Sequence, residues 1–379
     1  MASFYLIAGE ASGDLHGSLL MQGILEQDPS ATFRYWGGDK MASVAPGLVH
    51  HYKDGAVMGV VEVLAKAGKL RRNLSSCKAD ILANKPDALI LIDYPGFNLK
   101  IAGFAHEHGI KVFYYIAPKV WASREGRIRR LKKYVDRMFV IFPFEPAYFA
   151  KHGMDVVFEG NPLKDSISAA LDAAPSREEF CASCGLDPAR PVVALLAGSR
   201  TQEIRFLMPR FLELERLAAA SPVLGGCQFV VAAAPSVDDT LYAEYISGSR
   251  IHIVRDQTYA LLKHSAAAAV ASGTASFETA IIGTPQVVCW GTNPLSFKIM
   301  NAFMKTKYVS LANIALDKLI FKEFLQDICT GASLAAELER LLSDSAYRDE
   351  MLSGYAAHNS LLGEAGSASR FAAKMMAEL

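Results

Sequence analysis

Short apolar runs alternate with longer segments of helical periodicity along the whole chain of 379 residues. Apolar runs of strand length that are separated by helix-length segments are typical of parallel sheets covered by helices on both faces. The pattern therefore predicts an α/β fold. The predicted strands are Phe4–Ala8, Phe33–Trp36, Ala88–Ile92, Val112–Ile116, Arg137–Ile141, Val156–Phe158, Val192–Ala197, Gln228–Ala232, Ile251–Val254, Ala266–Ala271 and Gln286–Cys289.

These strands are too many for one compact sheet, and the alternation restarts near Pro191. Before that point the chain reads ALDAAPSREEFCASCGLDPARP, in which Ser176 and Glu179 have the spacing of a helix capping box. We therefore expect two doubly wound domains that face each other across a cleft, one over residues 1–165 and one over 166–345. A C-terminal helix at about 346–379 is expected to pack back on the first domain. In such folds, ligands bind at the carboxyl ends of the strands.

Composition excludes several classes of protein. Lysine and arginine together number 39, as do aspartate and glutamate, and a chain without net charge is not typical of a nucleic-acid binder. Six cysteines in a chain of this length do not form a disulfide scaffold. The N-terminus lacks the features of a signal peptide, and no apolar run is long enough to cross a bilayer. We expect a cytoplasmic protein.

Two loops in the first half carry acidic residues at predicted strand ends. AGEASGDLHG, residues 8–17, places Glu10 after the first strand, and Asp14 is expected to cap the helix that follows. The loop is not the GxGxxG of dinucleotide-binding proteins, which disfavours a dehydrogenase. LILIDYPGFN, residues 89–98, delivers Asp93 to the end of a buried strand. A carboxylate in that position is a candidate general base, with helix capping as the alternative.

Two loops in the second half have the composition of phosphate-binding turns. LLAGSRTQEI and ASGTASFETA both join a predicted strand to a predicted helix through small residues, and backbone N–H groups at a helix N-terminus bind anions. Two such turns indicate a nucleotide diphosphate, with Glu278 placed to accept hydrogen bonds from sugar hydroxyls. No DxD-like motif follows a strand, so we expect neither a metal nor a cofactor. The candidate binding residues are Gly198, Ser199, Arg200, Ser272, Gly273, Thr274 and Glu278.

A long amphipathic helix is predicted from Met58 to about Asn84, with an apolar stripe and basic residues on its other positions. Such a stripe usually faces the core, but basic flanks also suit an anionic membrane surface. A second basic run, SREGRIRRLKKYVDR, favours the membrane interpretation. The candidate acyl-chain or membrane contacts are Met58, Val60, Val61, Val63, Leu64, Lys66, Lys69, Arg71 and Arg72.

Seven motifs in order resemble those of the lipid A disaccharide synthases: AGEASGD, VMGVVEVL, IDYPGFN, YYIAPKVWA, LLAGSRTQEI, SGTASFETA and YVSLANI. The resemblance covers nearly the whole chain. It implies a GT-B-like glycosyltransferase with two Rossmann-like domains. It also implies that UDP-2,3-diacylglucosamine condenses with 2,3-diacylglucosamine 1-phosphate, with inversion, to give a β-1′,6-linked disaccharide and UDP. Ala197 and Ala312 replace prolines of the family's motifs, and Ser123 stands where an aromatic residue is common.

The same resemblance implies roles for individual residues. Asp93 matches the family's essential aspartate, Arg200 the arginine of its PGSR loop, and Asn313 the asparagine of its SLPN motif. We expect Asp93 to be the base, alone or with Glu10. The expected partners are the two lipid substrates and the cytoplasmic face of an anionic inner membrane, on which the protein would be peripheral, and a homodimer is possible. The alternatives are a UDP-N-acetylglucosamine 2-epimerase or another UDP-sugar enzyme of this fold, and a non-catalytic UDP-sugar sensor.

Overall fold

The computed structural model describes residues 2–55, 62–121, 125–235, 237–292, 297 and 307–379. The chain forms two compact units. The first comprises Met1–Asp165 together with Leu362–Leu379, and the second comprises Ser166–Leu361. Each unit contains one parallel sheet with helices around it, so both have the Rossmann-like α/β architecture that the sequence predicts.

The first sheet has seven strands in the order β3-β2-β1-β4-β5-β6-β7, and all its pairs are parallel. Its central strand β4 is buried at every position, because helices cover both faces of the sheet and leave no need for polar alternation. The strands are β1 (Ser3–Ala8), β2 (Thr32–Gly37), β3 (Leu48–His51), β4 (Ala88–Ile92), β5 (Lys111–Tyr115), β6 (Arg137–Val140) and β7 (Val157–Phe158).

The second sheet has six parallel strands in the order β10-β9-β8-β11-β12-β13. Its centre, β8 and β11, is again buried at every position. The strands are β8 (Val192–Leu196), β9 (Gln228–Ala233), β10 (His252–Arg255), β11 (Ala267–Ala271), β12 (Gln286–Trp290) and β13 (Glu323–Leu325).

All the strands predicted from apolar runs are present, with ends that differ by one residue at most. Two further strands, β3 and β13, are absent from the prediction. Both are short edge strands, and neither contains a fully buried residue. An edge strand covered on fewer sides needs fewer apolar residues, so β3 with its two histidines has no apolar run by which it could be recognised.

Most of the helices connect successive strands, and the last three follow β13. Together with short 3₁₀ turns, they are α1 (Ala11–Gln27), α2 (Asp39–Val44), α3 (Glu62–Asn84), α4 (Pro95–Glu107), α5 (Ile128–Tyr134), α6 (Glu145–Ala150), α7 (Pro162–Asp172), α8 (Arg177–Cys184), α9 (Thr201–Ala218), α10 (Asp239–Ile246), α11 (Thr258–His264), α12 (Thr274–Ile282), α13 (Leu311–Leu316), α14 (Gly331–Ser343), α15 (Ser345–Leu361) and α16 (Ser367–Ala377). The predicted capping box of α8 is confirmed: Glu179 N–H donates to Ser176 Oγ, and Ser176 N–H donates to Glu179 Oε2.

The C-terminal segment is divided between the two units. Helix α15 belongs to the second unit, whereas α16 belongs to the first and packs on α1. Gly23 permits the close approach, since a Cβ there would lie 2.9 Å from the Cα of Ser369. The carboxylate of Asp165 accepts hydrogen bonds from Gly366 N–H and Ser367 N–H, at 2.8 and 3.0 Å, and so caps α16.

Helix α3 supplies the first unit with part of its core. Cys77 and Ile81 are fully buried, and Leu70 and Leu74 pack against the same cluster, so this half of the apolar stripe faces the sheet. Met58, Val60 and Val61 lie outside the described residues, as do the side chains of Val63, Leu64 and Lys66. Within the part of the chain that the structure describes, no helix combines the length and apolarity needed to cross a membrane.

Candidate active site

The loops after β1 and β4 meet at one edge of the first sheet. In register, Ala8 of β1 pairs with Ile92 of β4, which pairs with Tyr115 of β5. Glu10 lies two residues after Ala8 and Asp93 one residue after Ile92, so the two lie at neighbouring strand ends. Glu10 is exposed and stands at the N-cap of α1, where its Oε1 accepts a hydrogen bond from Ser12 Oγ at 3.2 Å.

Asp93 sits on an unusual stretch of backbone. Asp93 and Tyr94 both have left-handed dihedrals, with φ of 41° and 45°, a conformation that costs free energy in non-glycine residues. The carbonyl of Asp93 accepts hydrogen bonds from Tyr114 Oη at 2.6 Å and from the buried Asn98 Nδ2 at 2.8 Å. Gly9 leaves room for the ring of Tyr94, since a Cβ there would lie 2.3 Å from it. The surroundings thus fix the position of Asp93.

The surroundings of the Asp93 carboxyl group raise its pKa. Burial is the main cause that raises its pKa, from 3.8 to about 6, and the nearby negative charge of Glu10 acts in the same direction. Lys119 and Arg127 lower the pKa again, as does a hydrogen bond from the backbone of Tyr94. A carboxylate that is partly desolvated and titrates near neutral pH has the properties of a general base.

Asp14 does not cap the helix that follows the first loop, which corrects the expectation from the sequence. It lies within α1, is buried, and accepts hydrogen bonds from Gly38 N–H, Lys40 N–H and Met41 N–H at 2.7–3.1 Å. It therefore caps α2, the helix after the neighbouring strand. Because this partner is distant in sequence, the local pattern could not reveal it.

Glu145 and Lys119 belong to the same edge and were not singled out from the sequence. Glu145 is buried, and burial raises its pKa to about 7. Its carboxylate accepts hydrogen bonds from Trp121 Nε1 at 3.2 Å and from the N–H groups of Ile141 and Phe142 at 3.1 and 2.9 Å. Lys119 is exposed and acts electrostatically on both Glu145 and Asp93. Its signal in the sequence is its place in YYIAPKVWA, directly after β5.

In the second unit, the side chain of Glu203 from the following helix contacts the turn after β8. Gly198 has φ of +94°, and Arg200 stands at the N-cap of α9 with its side chain 76% exposed. Glu203 Oε2 accepts hydrogen bonds from Ser199 N–H at 3.0 Å and Arg200 N–H at 3.3 Å, while its Oε1 lies 3.3 Å from Arg200 Nη1. The amides that were expected to receive a phosphate therefore already have an acceptor.

The turn after β11 is different. β11 pairs with β8, so the two turns lie at the same edge of the second sheet. Gly273 is the N-cap of α12, and Gly273 and Thr274 are exposed. As a glycine, Gly273 contributes no capping side chain of its own. Ser272 lines a narrow crevice together with Glu203, Leu207, Ala271, Cys289, Trp290 and Gly291.

Glu278 lies one turn inside α12 and is half-buried. Burial raises its pKa to about 7, and the hydroxyl of Tyr259 donates a hydrogen bond to its carboxylate. Near neutral pH a substantial fraction of this carboxyl group is therefore protonated. It can donate to as well as accept from a hydroxyl group.

Asn313 is held entirely by its own unit. It is fully buried, its Nδ2 donates to Phe321 O and Glu323 Oε1 at 3.0 and 2.8 Å, and its Oδ1 accepts from Ile320 N–H at 2.9 Å. Glu323 in turn accepts from Val309 N–H and Ser310 N–H at 2.9 Å. Asn313 therefore stabilises the loop before α13, and both hydrogens of its Nδ2 group are engaged within its own unit.

Among the described residues, no three histidine, cysteine, aspartate or glutamate side chains cluster as metal ligands would. Of the basic residues expected on α3, Arg71 and Arg72 are exposed, while Lys69 donates from its Nζ to the carbonyl of Asp54. The structure thus brings the candidates together in two groups. One surrounds Asp93 in the first unit, and the other surrounds Arg200 and Gly273 in the second.

A sequence profile of the lipid-A-disaccharide synthetases matches residues 4–373. The chain belongs to this family. It is accordingly a glycosyltransferase of lipid A biosynthesis. The chain is 38% identical over 369 residues to the lipid-A-disaccharide synthase of Geobacter metallireducens, covering 97% of this chain and 94% of that one. It is 35% identical over 374 residues to the synthase of Myxococcus xanthus, covering 98% and 96%.

Solved structures with a similar fold include members of a second enzyme class. The UDP-GlcNAc 2-epimerase of Neisseria meningitidis, determined with bound UDP-GlcNAc, has a TM-score of 0.69 and 14% identity, with both chains fully covered. A calicheamicin glycosyltransferase has a TM-score of 0.60 and 16% identity, covering 100% of this chain and 98% of that one. At such low identities these similarities establish the GT-B fold alone, so the epimerases share a fold with this family and not its activity.

Proposed function

We propose that the chain transfers the diacylated glucosamine of UDP-2,3-diacylglucosamine to the 6-hydroxyl of 2,3-diacylglucosamine 1-phosphate and inverts the anomeric carbon. The products are UDP and the β-1′,6-linked disaccharide 1-phosphate. The observation that carries the proposal is the environment of Asp93. Hydrogen bonds to its backbone carbonyl fix this residue at a strand end, and burial raises the pKa of its carboxyl group to about 6.

In this reaction Asp93 acts as the general base. The 6-hydroxyl of the acceptor loses its proton to the Asp93 carboxylate while its oxygen forms a bond to the anomeric carbon. The bond from that carbon to the diphosphate breaks on the opposite side, so one displacement inverts the centre without a covalent enzyme intermediate. General-base catalysis typically contributes about 10²–10⁴-fold in rate. Glu10 is exposed, and its charge helps to raise the pKa of Asp93, so its role is secondary.

The second unit binds the nucleotide and stabilises the departing diphosphate. The exposed guanidinium of Arg200 supplies the positive charge, and the N-terminus of α12 at the exposed Gly273 and Thr274 supplies N–H groups along a helix dipole. Positioned donors of this kind stabilise developing charge, so we propose that the reaction requires no metal ion. Glu278, paired with Tyr259, binds a hydroxyl group of the nucleotide sugar.

We further propose that the protein works as a peripheral protein on the cytoplasmic face of an anionic membrane, where both substrates are anchored by their acyl chains. Arg71 and Arg72 on α3 and the exposed cations of α5, Arg129, Arg130, Lys132 and Lys133, support this proposal. Each basic group near such a surface contributes about 1 kcal/mol, screened by salt. Sedimentation with anionic vesicles across a salt series tests it. Replacement of Arg71 and Arg72 by glutamine should weaken binding and flatten its salt dependence.

The decisive experiment mixes the purified chain with both lipid substrates in detergent and measures UDP and disaccharide. Release of UDP that depends on both substrates is the expected result. Formation of UDP-N-acetylmannosamine from UDP-N-acetylglucosamine would instead favour an epimerase. Binding of the UDP-sugar without turnover would favour a sensor.

A further inference from the structure

Glu203 engages the turn after β8 with both of its carboxylate oxygens. Oε2 accepts hydrogen bonds from the N–H groups of Ser199 and Arg200, and Oε1 contacts the guanidinium of Arg200 at 3.3 Å. Gly198 completes the arrangement, because a Cβ there would lie 2.3 Å from Glu203 Oε2 and 2.8 Å from Glu203 Cβ. One carboxylate thus links the backbone of the turn to the side chain of Arg200.

This arrangement changes which groups can receive an anion. The N–H groups at the start of a helix attract a phosphate when they lack an acceptor, but the amides of Ser199 and of the N-cap Arg200, which directly precede α9, are engaged by Glu203. The guanidinium of Arg200 contacts Glu203 through one nitrogen, Nη1, and its side chain remains 76% exposed. Arginine carries five N–H donors, so most of its fork can still bind a diphosphate.

We infer that Glu203 is a positioning residue for diphosphate recognition. It fixes the turn and restrains the Arg200 guanidinium, so that the diphosphate is bound by the Arg200 side chain and the N-terminus of α12 and not by the amides of Ser199 and Arg200. This inference rests on the proposed function, since it takes the ligand of Arg200 to be a nucleotide diphosphate.

The two-oxygen contact distinguishes positioning from simple helix capping. A capping carboxylate needs only the backbone amides, which Oε2 alone satisfies here. The additional contact of Oε1 restricts a long and exposed side chain. Arginine has large rotamer entropy in solution, and restraint before binding removes part of the entropic cost of forming the complex. The surface pair itself contributes little to stability, so its effect is expected in binding.

A double-mutant cycle on UDP affinity tests the inference. Calorimetry is performed on the wild type, Glu203→Ala, Arg200→Ala and the double variant. Since charge-assisted hydrogen bonds carry the interaction, we expect Arg200→Ala to weaken UDP binding about 10- to 100-fold and Glu203→Ala about tenfold. In the Arg200→Ala background, Glu203→Ala should cause less than about a twofold further loss. Additive losses, or tighter binding by Glu203→Ala, would overturn the inference, the latter by showing that Glu203 competes with the diphosphate.

Two further variants separate positioning from folding. Glu203→Gln retains an oxygen for the two amides but replaces Oε1 by an NH2 group that cannot accept from Arg200, so the turn stays capped while the restraint on the guanidinium is lost. UDP affinity should therefore fall nearly as far as in Glu203→Ala, and wild-type affinity in Glu203→Gln would contradict the inference. Glu244→Ala removes an exposed glutamate from α10 of the same unit and should leave UDP affinity unchanged. If Arg200→Ala has no effect, the proposed nucleotide site itself fails. If Arg200→Ala weakens binding and Glu203→Ala does not, only the inference fails.

Discussion

Asp93 and Glu203 are two carboxylates that follow central strands of similar sheets, yet their surroundings differ. The carboxylate of Glu203 accepts hydrogen bonds from two backbone amides and contacts a guanidinium. Asp93 is partly desolvated beside the negative charge of Glu10, on left-handed backbone, and burial raises its pKa to about 6. A carboxylate whose charge is fully compensated is suited to hold structure. One whose charge is poorly compensated is suited to accept a proton. The local environment, and not the residue type, therefore separates the proposed base from the proposed positioning residue.

The largest effect that this comparison predicts is on catalysis. Asp93→Asn keeps the shape of the side chain but removes the base, so the rate of transfer should fall by about 10²–10⁴-fold while UDP affinity stays unchanged. Steady-state assays and calorimetry measure both quantities. Glu10→Gln is the matched control from the neighbouring strand end, and its loss of rate should be much smaller. Equal losses in the two variants would mean that the two carboxylates share the proton transfer.

The same substitution should stabilise the first unit. A raised pKa means that the folded state disfavours the Asp93 carboxylate, so the cost is absent below about pH 4, grows as the pH rises to 6, and is constant above it. A shift from 3.8 to about 6 corresponds to at most about 3 kcal/mol. Asp93→Asn should therefore unfold at a higher temperature than the wild type at pH 8. The two proteins should converge near pH 4, and a difference that does not depend on pH would contradict the assignment.

Glu203 illustrates what could not be predicted from the sequence. The buried strands and the turns after them were recognisable because apolar runs and small residues are local signals. The capping role of Glu203 was hidden, because arginine at the N-cap does not match the Ser or Thr of a capping box. Asp14 caps a helix after another strand, and the backbone of Asp93 is set by Tyr114 and Asn98. Such features depend on contacts that exist only after folding.

A smaller effect is expected in the pH profile. If Asp93 must be ionised to accept a proton, kcat/KM should rise tenfold per pH unit below about pH 6 and level off above it. Measurement with both lipid substrates from about pH 4.5 to about pH 8 extends at least about one pH unit to each side of that midpoint. An acid limb centred near pH 7 would instead point to Glu145 or Glu278, whose pKa values burial raises to about 7.

The smallest expected effect is that of Lys119, which acts electrostatically on Asp93. Its positive charge lowers the pKa of Asp93 and so opposes the effect of burial. Because the ammonium group is exposed, solvent and salt screen the interaction, and Lys119→Gln should raise the midpoint of the acid limb by only roughly half a pH unit. The direction is firm, since removal of a positive charge favours the protonated acid. Lys100→Gln, which replaces an exposed lysine on α4, is the matched control and should leave the midpoint in place. A limb that Lys119→Gln does not move at low salt would show that Lys119 is too far from Asp93 to tune its pKa, which burial, Glu10, Arg127 and the backbone of Tyr94 would then set without it.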